Sequence, residues 1–158
     1  MTVLNIIIVG VFSCLVFDLF QRILKIIFGI PPSNWALVGR WLLGLLTSGQ
    51  LMARSLADQH PRRNEHVAGW CLHYAVAVLY AAFYWALMDA DIVNAGLRDG
   101  LIFGIASVCV PWFFFMPVMG NGIMGHKTAN PPFACFMALV MHSVFGAALG
   151  IGFGAVAG

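Results

Sequence analysis

Residues 3–27 read VLNIIIVGVFSCLVFDLFQRILKII, and this stretch decides the fold class. Its only charged side chains are Asp18, Arg22 and Lys25. The stretch is longer than the about 20 apolar residues that an α-helix needs to cross the hydrocarbon core of a bilayer. No basic region precedes it and no small-residue cleavage site ends it, so we expect a retained transmembrane helix rather than a signal peptide.

Three further apolar stretches of similar length follow along the 158-residue chain. Hydrophobic residues make up 61% of the sequence and charged residues 9%, whereas a soluble domain carries about 25% charged residues. The sequence therefore predicts an all-α polytopic membrane protein, a four-transmembrane-helix bundle forming a single domain over residues 1–158. The predicted spans are Val3–Ile27, Val67–Met88, Leu97–Met119 and Phe133–Val156.

The connection after the first span contains a shorter helical pattern. Pro31 and Pro32 end the first helix, and Asn34 is placed to cap a new one, since its side-chain oxygen can accept from an exposed backbone N–H. The pattern is too short to cross a bilayer. We expect a short interfacial helix here, with Trp35 and Trp41 at headgroup depth. Further along, Pro111 removes a helical hydrogen bond, so the third span should be kinked there.

Basic residues set the expected orientation, because Lys and Arg accumulate in cytoplasmic connections. Lys127 lies between spans three and four, and Arg98 alone lies on the opposite side. We therefore expect both long connections to be cytoplasmic and both termini to lie outside. The remaining basic residues all lie at or after the end of the first span: Arg22, Lys25, Arg40, Arg54, Arg62 and Arg63.

Glycines recur at intervals of four in the third and fourth spans. Residues four apart share one helix face, and small residues on such a face let a neighbouring helix approach closely. We expect these faces to pack against other helices, within the chain or across a homodimer. The residues are Gly96, Gly100, Gly104, Gly146, Gly150 and Gly154.

Among the acidic, basic and histidine residues of the predicted spans, three lie well away from the span ends: Asp18, His73 and His142. Counting helical rise from the cytoplasmic ends places all three in the cytoplasmic half, which predicts one shared ligand site there. Asp18 has a simpler explanation as an i,i+4 partner of Arg22, and either histidine can remain neutral and hydrogen-bond across helices. A proton relay and ligation of a metal or haem by His73 and His142 are the functional alternatives.

Several segments resemble a known family. The most specific is Asn34-Trp35-Ala36-Leu37-Val38-Gly39-Arg40-Trp41, and the others include Trp70-Cys71-Leu72-His73-Tyr74, Lys127-Thr128-Ala129-Asn130-Pro131 and His142-Ser143-Val144-Phe145-Gly146. Together these are similar to domain-of-unknown-function family 2938. The resemblance covers nearly the whole chain and implies a bacterial inner-membrane protein of four helices without an assigned activity. Its characteristic positions are Asn34, Trp35, Arg40, His73, Lys127, Asn130 and His142.

The leading hypothesis is a small transporter or a solute- or lipid-binding membrane protein, with Arg40 and Lys127 attracting an anionic group to the mouth of the site. A homodimer is expected, because four helices are few for a transport path. The alternatives are a haem- or quinone-binding redox subunit and a non-catalytic assembly subunit. No cofactor follows from the residues. The motifs of hydrolases and nucleotide-binding loops are absent from the sequence, which disfavours classical hydrolase chemistry and leaves open whether the protein is an enzyme. Its basic residues suit anionic lipid as well as nucleic acid, so we do not expect a nucleic-acid binder.

Overall fold

The computed structural model describes residues 1–52, 56 and 58–157, so Arg54 lies outside the described residues. The described residues are 76% helical and contain no strand. The helices are α1 (Val3–Phe28), α2 (Trp35–Ser48), α3 (Glu65–Asp89), α4 (Leu97–Ser107), α5 (Met116–Val118) and α6 (Pro131–Ala157), with a π-helix at Pro111–Phe115 and a 3₁₀ turn at Ile123–Gly125.

Four helical segments are long and apolar enough to cross a membrane: Val3–Phe28, Glu65–Asp89, Leu97–Val118 and Pro131–Val156. Each also exposes large apolar side chains, as Leu19, Leu79, Ile102 and Phe136 illustrate with more than half of their surface exposed. Soluble monomers rarely leave extended apolar patches uncovered, whereas lipid tolerates them. The prediction of an all-helical chain with four apolar spans is confirmed.

Side-chain caps and left-handed glycines define the ends of α1 and α2. The Asn34 side chain accepts a hydrogen bond from the Ala36 N–H at 3.1 Å, which confirms its predicted place as the N-cap of α2. Gly29 and Gly49 follow α1 and α2 at φ 68°. Glycine adopts this conformation without the steric penalty of a Cβ atom. Each helix therefore ends at a glycine whose left-handed conformation turns the chain sharply.

The third span loses its regular α-helical hydrogen bonding around Pro111. Helix α4 ends at Ser107, and residues 111–115 form a π-helix in which the Met116 N–H bonds to the Pro111 carbonyl, five residues earlier. Proline has no N–H to donate and its ring displaces the preceding turn. The π-helix is one way to absorb that interruption within a continuous helical segment.

The chain divides into two compact units. Unit 1 comprises Met1–Pro32, Tyr74–Ser107 and Leu139–Gly158, and therefore takes a segment from each of the four spans. Its apolar core contains Val9 of α1, Tyr84 of α3, and Leu149 and Phe153 of α6. The Tyr84 hydroxyl donates to the Asn94 carbonyl at 2.7 Å, which ties the end of α3 to the turn that follows it.

Glycines bring the backbones of α4 and α6 into direct contact in unit 1. A Cβ atom added at Gly100 would overlap the carbonyl oxygen of Gly146, and one added at Gly104 would overlap that of His142. The reciprocal positions Gly146 and Gly150 are equally crowded, whereas a Cβ at Gly154 would meet nothing within 4 Å. Gly96 precedes α4 at φ 135° and donates a backbone hydrogen bond to the Gly150 carbonyl at 2.9 Å.

Unit 2 comprises Ser33–His73 and Val108–Ala138. Here α2 packs backbone to backbone on the first turns of α3, because a Cβ at Gly39 would overlap the Glu65 carbonyl and one at Gly69 would overlap the Trp35 carbonyl. Trp41 lies in the apolar cluster of this unit and donates from Nε1 to the Leu51 carbonyl at 2.8 Å. This hydrogen bond holds the connection after α2 against its helix.

We expect Gly146→Leu to destabilise the protein, because the new side chain must push α4 away from α6. Overpacking of this kind typically costs about 1–3 kcal/mol. Denaturation of the purified protein in detergent would measure the loss. Gly154→Leu is the matched control on the same face of α6, and equal stability of the two variants would contradict the assignment of the contact.

Candidate functional site

Asp18 is held by a tyrosine inside unit 1. The Tyr74 hydroxyl of α3 donates to Oδ2 of the half-buried Asp18 on α1 at 3.1 Å. Helix α1 also buries Cys14 and Gln21, about one turn to either side of Asp18. The inward side of α1 is therefore apolar at Ile6 and polar towards its C-terminal end. Such an arrangement can present a carboxylate acceptor and a phenol to a polar group inside an apolar helical segment.

His142 is paired with a serine in the same unit. Nδ1 of His142 lies 2.8 Å from the hydroxyl of Ser107 on α4, and that hydroxyl also donates to the Gly104 carbonyl at 2.7 Å. The ring of Tyr80 meets the imidazole edge-on, with centroids 6.0 Å apart. The close backbone contact at Gly104 places the short serine side chain within reach of the imidazole. The pair can therefore fix one orientation of the histidine ring.

His73 lies in unit 2 among tryptophans. Its ring stacks on Trp35 with centroids 3.8 Å apart and an interplanar angle of 21°. Trp70 meets the same imidazole edge-on at 5.8 Å. Of the histidines predicted to share one site, His73 thus belongs to unit 2 and His142 to unit 1. Aromatic stacking restricts the orientation of His73 and accounts for the position of Trp35.

Arg40 is buried in unit 2 and forms a bidentate salt bridge with Glu65. Its Nε and Nη2 donate to the two carboxylate oxygens at 2.8 and 2.9 Å, and Nη1 donates to the carbonyls of Leu56 and Gln59. Oε2 of Glu65 also accepts from the Arg62 backbone N–H at 2.8 Å. The hydrogen bonds to Glu65 raise the pKa of the guanidinium above its usual value. Arg40 therefore clamps the connection between α2 and α3, with its charge balanced internally.

The other residues singled out from the sequence lie at helix ends and in a connection. Asn130 caps α6, because its side-chain oxygen accepts from the Phe133 N–H at 3.2 Å. Lys127 is exposed, and its backbone N–H bonds to the Asn121 carbonyl. Asn34 is the corresponding cap of α2. Helix capping is thus sufficient to explain the positions of both asparagines. The charge of Lys127, in contrast, lies at the surface.

A family comparison adds to this geometry. The model of a family described as "Protein of unknown function (DUF2938)" matches residues 7–156. The chain belongs to this family. The resemblance inferred from its sequence motifs is thereby confirmed. The description of this family assigns it no activity. No curated protein and no solved structure matches the chain.

The sequence motifs missed the partners of the polar residues. Tyr74, Ser107 and Glu65 were not predicted to contact Asp18, His142 and Arg40. Each partner is far along the chain, and a single sequence gives no signal that pairs them. The one available clue was that a charge in an apolar stretch needs a partner, which gives the kind of residue to look for but not its position.

We expect Arg40→Gln and Glu65→Gln each to lower the melting temperature by several degrees, because removing one partner leaves the other buried charge uncompensated. Proteolysis of the connection between α2 and α3 should accelerate in parallel. Arg63→Gln is the matched control, since Arg63 is an exposed arginine of the same connection. The double variant should lose less than the sum of the single losses; strict additivity would show that the two residues do not act as a pair.

Proposed function

We propose that this is an integral protein of the bacterial cytoplasmic membrane that binds a small polar solute and moves it through the bilayer. The proposed site lies in unit 1 and uses one polar side chain from each of its four helical segments: Asp18, Tyr74, Ser107 and His142. The observation that carries the proposal is the hydrogen bond that the Tyr74 hydroxyl of α3 donates to Asp18 of α1.

A comparison of magnitudes supports a task for Asp18 beyond stability. A carboxylate costs about 2.5–3.5 kcal/mol at the centre of a transmembrane helix on insertion scales, and less towards the ends. A hydrogen bond between membrane helices recovers about 0.6 kcal/mol on average, so one such bond offsets a fraction of the central cost. A ligand that needs the carboxylate would account for its retention.

The residues of unit 2 take a different place in the proposal. Asn34, Trp35, Lys127 and Asn130 would belong to the cytoplasmic face, where Lys127 offers an exposed positive charge, whereas His73 lies within α3 next to Tyr74. The bidentate bridge to Glu65 neutralises Arg40, so its attraction for an anionic solute would be weak. We therefore propose a positioning task for Arg40 rather than direct contact with the solute.

We also propose that both termini face outward and that the connections rich in Lys and Arg are cytoplasmic. With a membrane-impermeant maleimide, we expect Asp91→Cys to react in intact spheroplasts and Arg63→Cys to react only after the spheroplasts are permeabilised. The unsubstituted protein gives the background from its four native cysteines. Labelling of Arg63→Cys from outside would reverse the proposed topology.

We expect at least one of a panel of small solutes (methylammonium, choline, glycerol, glucose and acetate) to raise the melting temperature of the protein in lipid nanodiscs. A ligand at 100 times its Kd stabilises the folded state by about 2.7 kcal/mol. Asp18→Asn and Tyr74→Phe should abolish or weaken this shift, because they remove the carboxylate and its hydrogen-bond donor.

Two substitutions control for general damage in the same experiment. Asp99→Asn removes a carboxylate that hydrogen-bonds Asn94 near the start of α4, and Tyr84→Phe removes a hydroxyl bonded to the Asn94 carbonyl. Both should keep the solute-induced shift. The proposed function is wrong if no solute stabilises the protein, or if the shift persists undiminished in Asp18→Asn.

A further inference from the structure

We infer that Ser107 holds His142 in the tautomer that carries its proton on Nδ1, and that the solute is a hydrogen-bond donor such as a protonated amine. The ligand class rests on the proposed function, whereas the tautomer follows from the structure independently of it. Ser107 is a positioning residue in this account, because it acts through the imidazole and not on the solute.

A proton count assigns the tautomer. A serine hydroxyl has one proton to donate and lone pairs to accept with. The Ser107 oxygen lies 2.7 Å from the Gly104 carbonyl and 2.8 Å from Nδ1 of His142. A carbonyl oxygen can only accept, so Ser107 donates to Gly104. The second contact is then a hydrogen bond only if Nδ1 of His142 donates to the serine oxygen.

The opposite arrangement is unfavourable. If Ser107 donated to His142, the serine oxygen and the Gly104 carbonyl oxygen would face each other at 2.7 Å without a proton between them. Helix movement cannot relieve this contact cheaply, because the serine lies one turn from Gly104 and bonds to the carbonyl of its own helix. The backbone contact between Gly104 and the His142 carbonyl also fixes the separation of α4 and α6. The geometry therefore favours one tautomer.

The Nδ1–H tautomer leaves a lone pair on Nε2 of His142. Because Ser107 occupies Nδ1, Nε2 is the nitrogen through which His142 can bond a ligand. In an apolar helical segment, a polar atom without a partner costs free energy, and a ligand that supplies a donor removes the cost. Asp18 has the same preference, since Tyr74 already donates to it and a carboxylate accepts further hydrogen bonds. Both groups thus select for a solute with N–H or O–H donors.

The tautomer can be measured without any ligand. In protein labelled with ¹⁵N and ¹³C at histidine and held in nanodiscs, the ring shifts distinguish the two neutral tautomers, and the signal lost in His142→Gln identifies residue 142. We expect Nδ1–H in the unsubstituted protein and loss of that signature in Ser107→Ala. Ser143→Ala is the matched control, because Ser143 is next to His142 but bonds the Leu139 carbonyl. Ser107→Thr, which retains a hydroxyl, should preserve the signature.

The solute class is tested with two cations of equal charge. Methylammonium carries N–H donors and tetramethylammonium carries none, so we expect only the first to stabilise the protein. Its affinity should fall by about tenfold or more in Ser107→Ala, because a hydrogen bond to a charged group is lost or misdirected. Ser143→Ala should leave the affinity unchanged.

The outcomes separate the two claims. An Nε2–H signature in the unsubstituted protein, or an unchanged signature in Ser107→Ala, overturns the positioning role of Ser107 whatever binds. Equal stabilisation by both cations overturns the donor class. If the expected tautomer is found but no solute binds, the role of Ser107 is supported and the proposed function is contradicted.

Discussion

The close approach of α4 and α6 is the constraint on which unit 1 depends. Lipid tails are as apolar as leucine, so helices in a membrane associate through packing and hydrogen bonds rather than through exclusion of water. Gly100, Gly104, Gly146 and Gly150 remove the side chains that would separate the two backbones. At that separation the short side chain of Ser107 reaches His142, and the Gly96 N–H reaches the Gly150 carbonyl. The polar pair is thus a consequence of the glycine contact.

Unit 2 is organised by charge and aromatic rings as well as by glycine. Arg40 supplies three nitrogens to two carboxylate oxygens and two carbonyls, so one side chain fixes α2, the following connection and the start of α3. A planar guanidinium suits this task better than an ammonium group, because its donors match a carboxylate in two places. The stack of Trp35 on His73 lies beside the glycine contact between α2 and α3. Short-range geometry thus sets the orientation of both charged and aromatic groups.

Periodicity and composition were sufficient to predict the helices, but not the residues that the polar side chains contact. Apolar runs gave the four spans to within two residues at each end, and Asn34 was correctly placed as a cap, because both depend on local sequence. The contacts of Asp18 with Tyr74 and of Arg40 with Glu65 depend on residues 56 and 25 positions away. Pro111 predicted a kink in the third span, and the structure has a π-helix at this position. The sequence did not indicate a π-helix, since proline removes a donor without determining which carbonyl a later N–H will bond.

The π-helix at Pro111–Phe115 affects how the residues after it are oriented. A π-helix amounts to an α-helix with one residue inserted, and each residue of an α-helix advances the side chains by about 100°. The inserted residue at Pro111–Phe115 therefore sets the rotational phase of Met116–Val118, and Val118 points into the apolar cluster with Trp41 and Leu56. If the same residues formed a regular α-helix instead, that valine would be turned about a quarter of a revolution away from its neighbours. The hydrogen-bond pattern of this short stretch is thus as much a part of the fold as its composition.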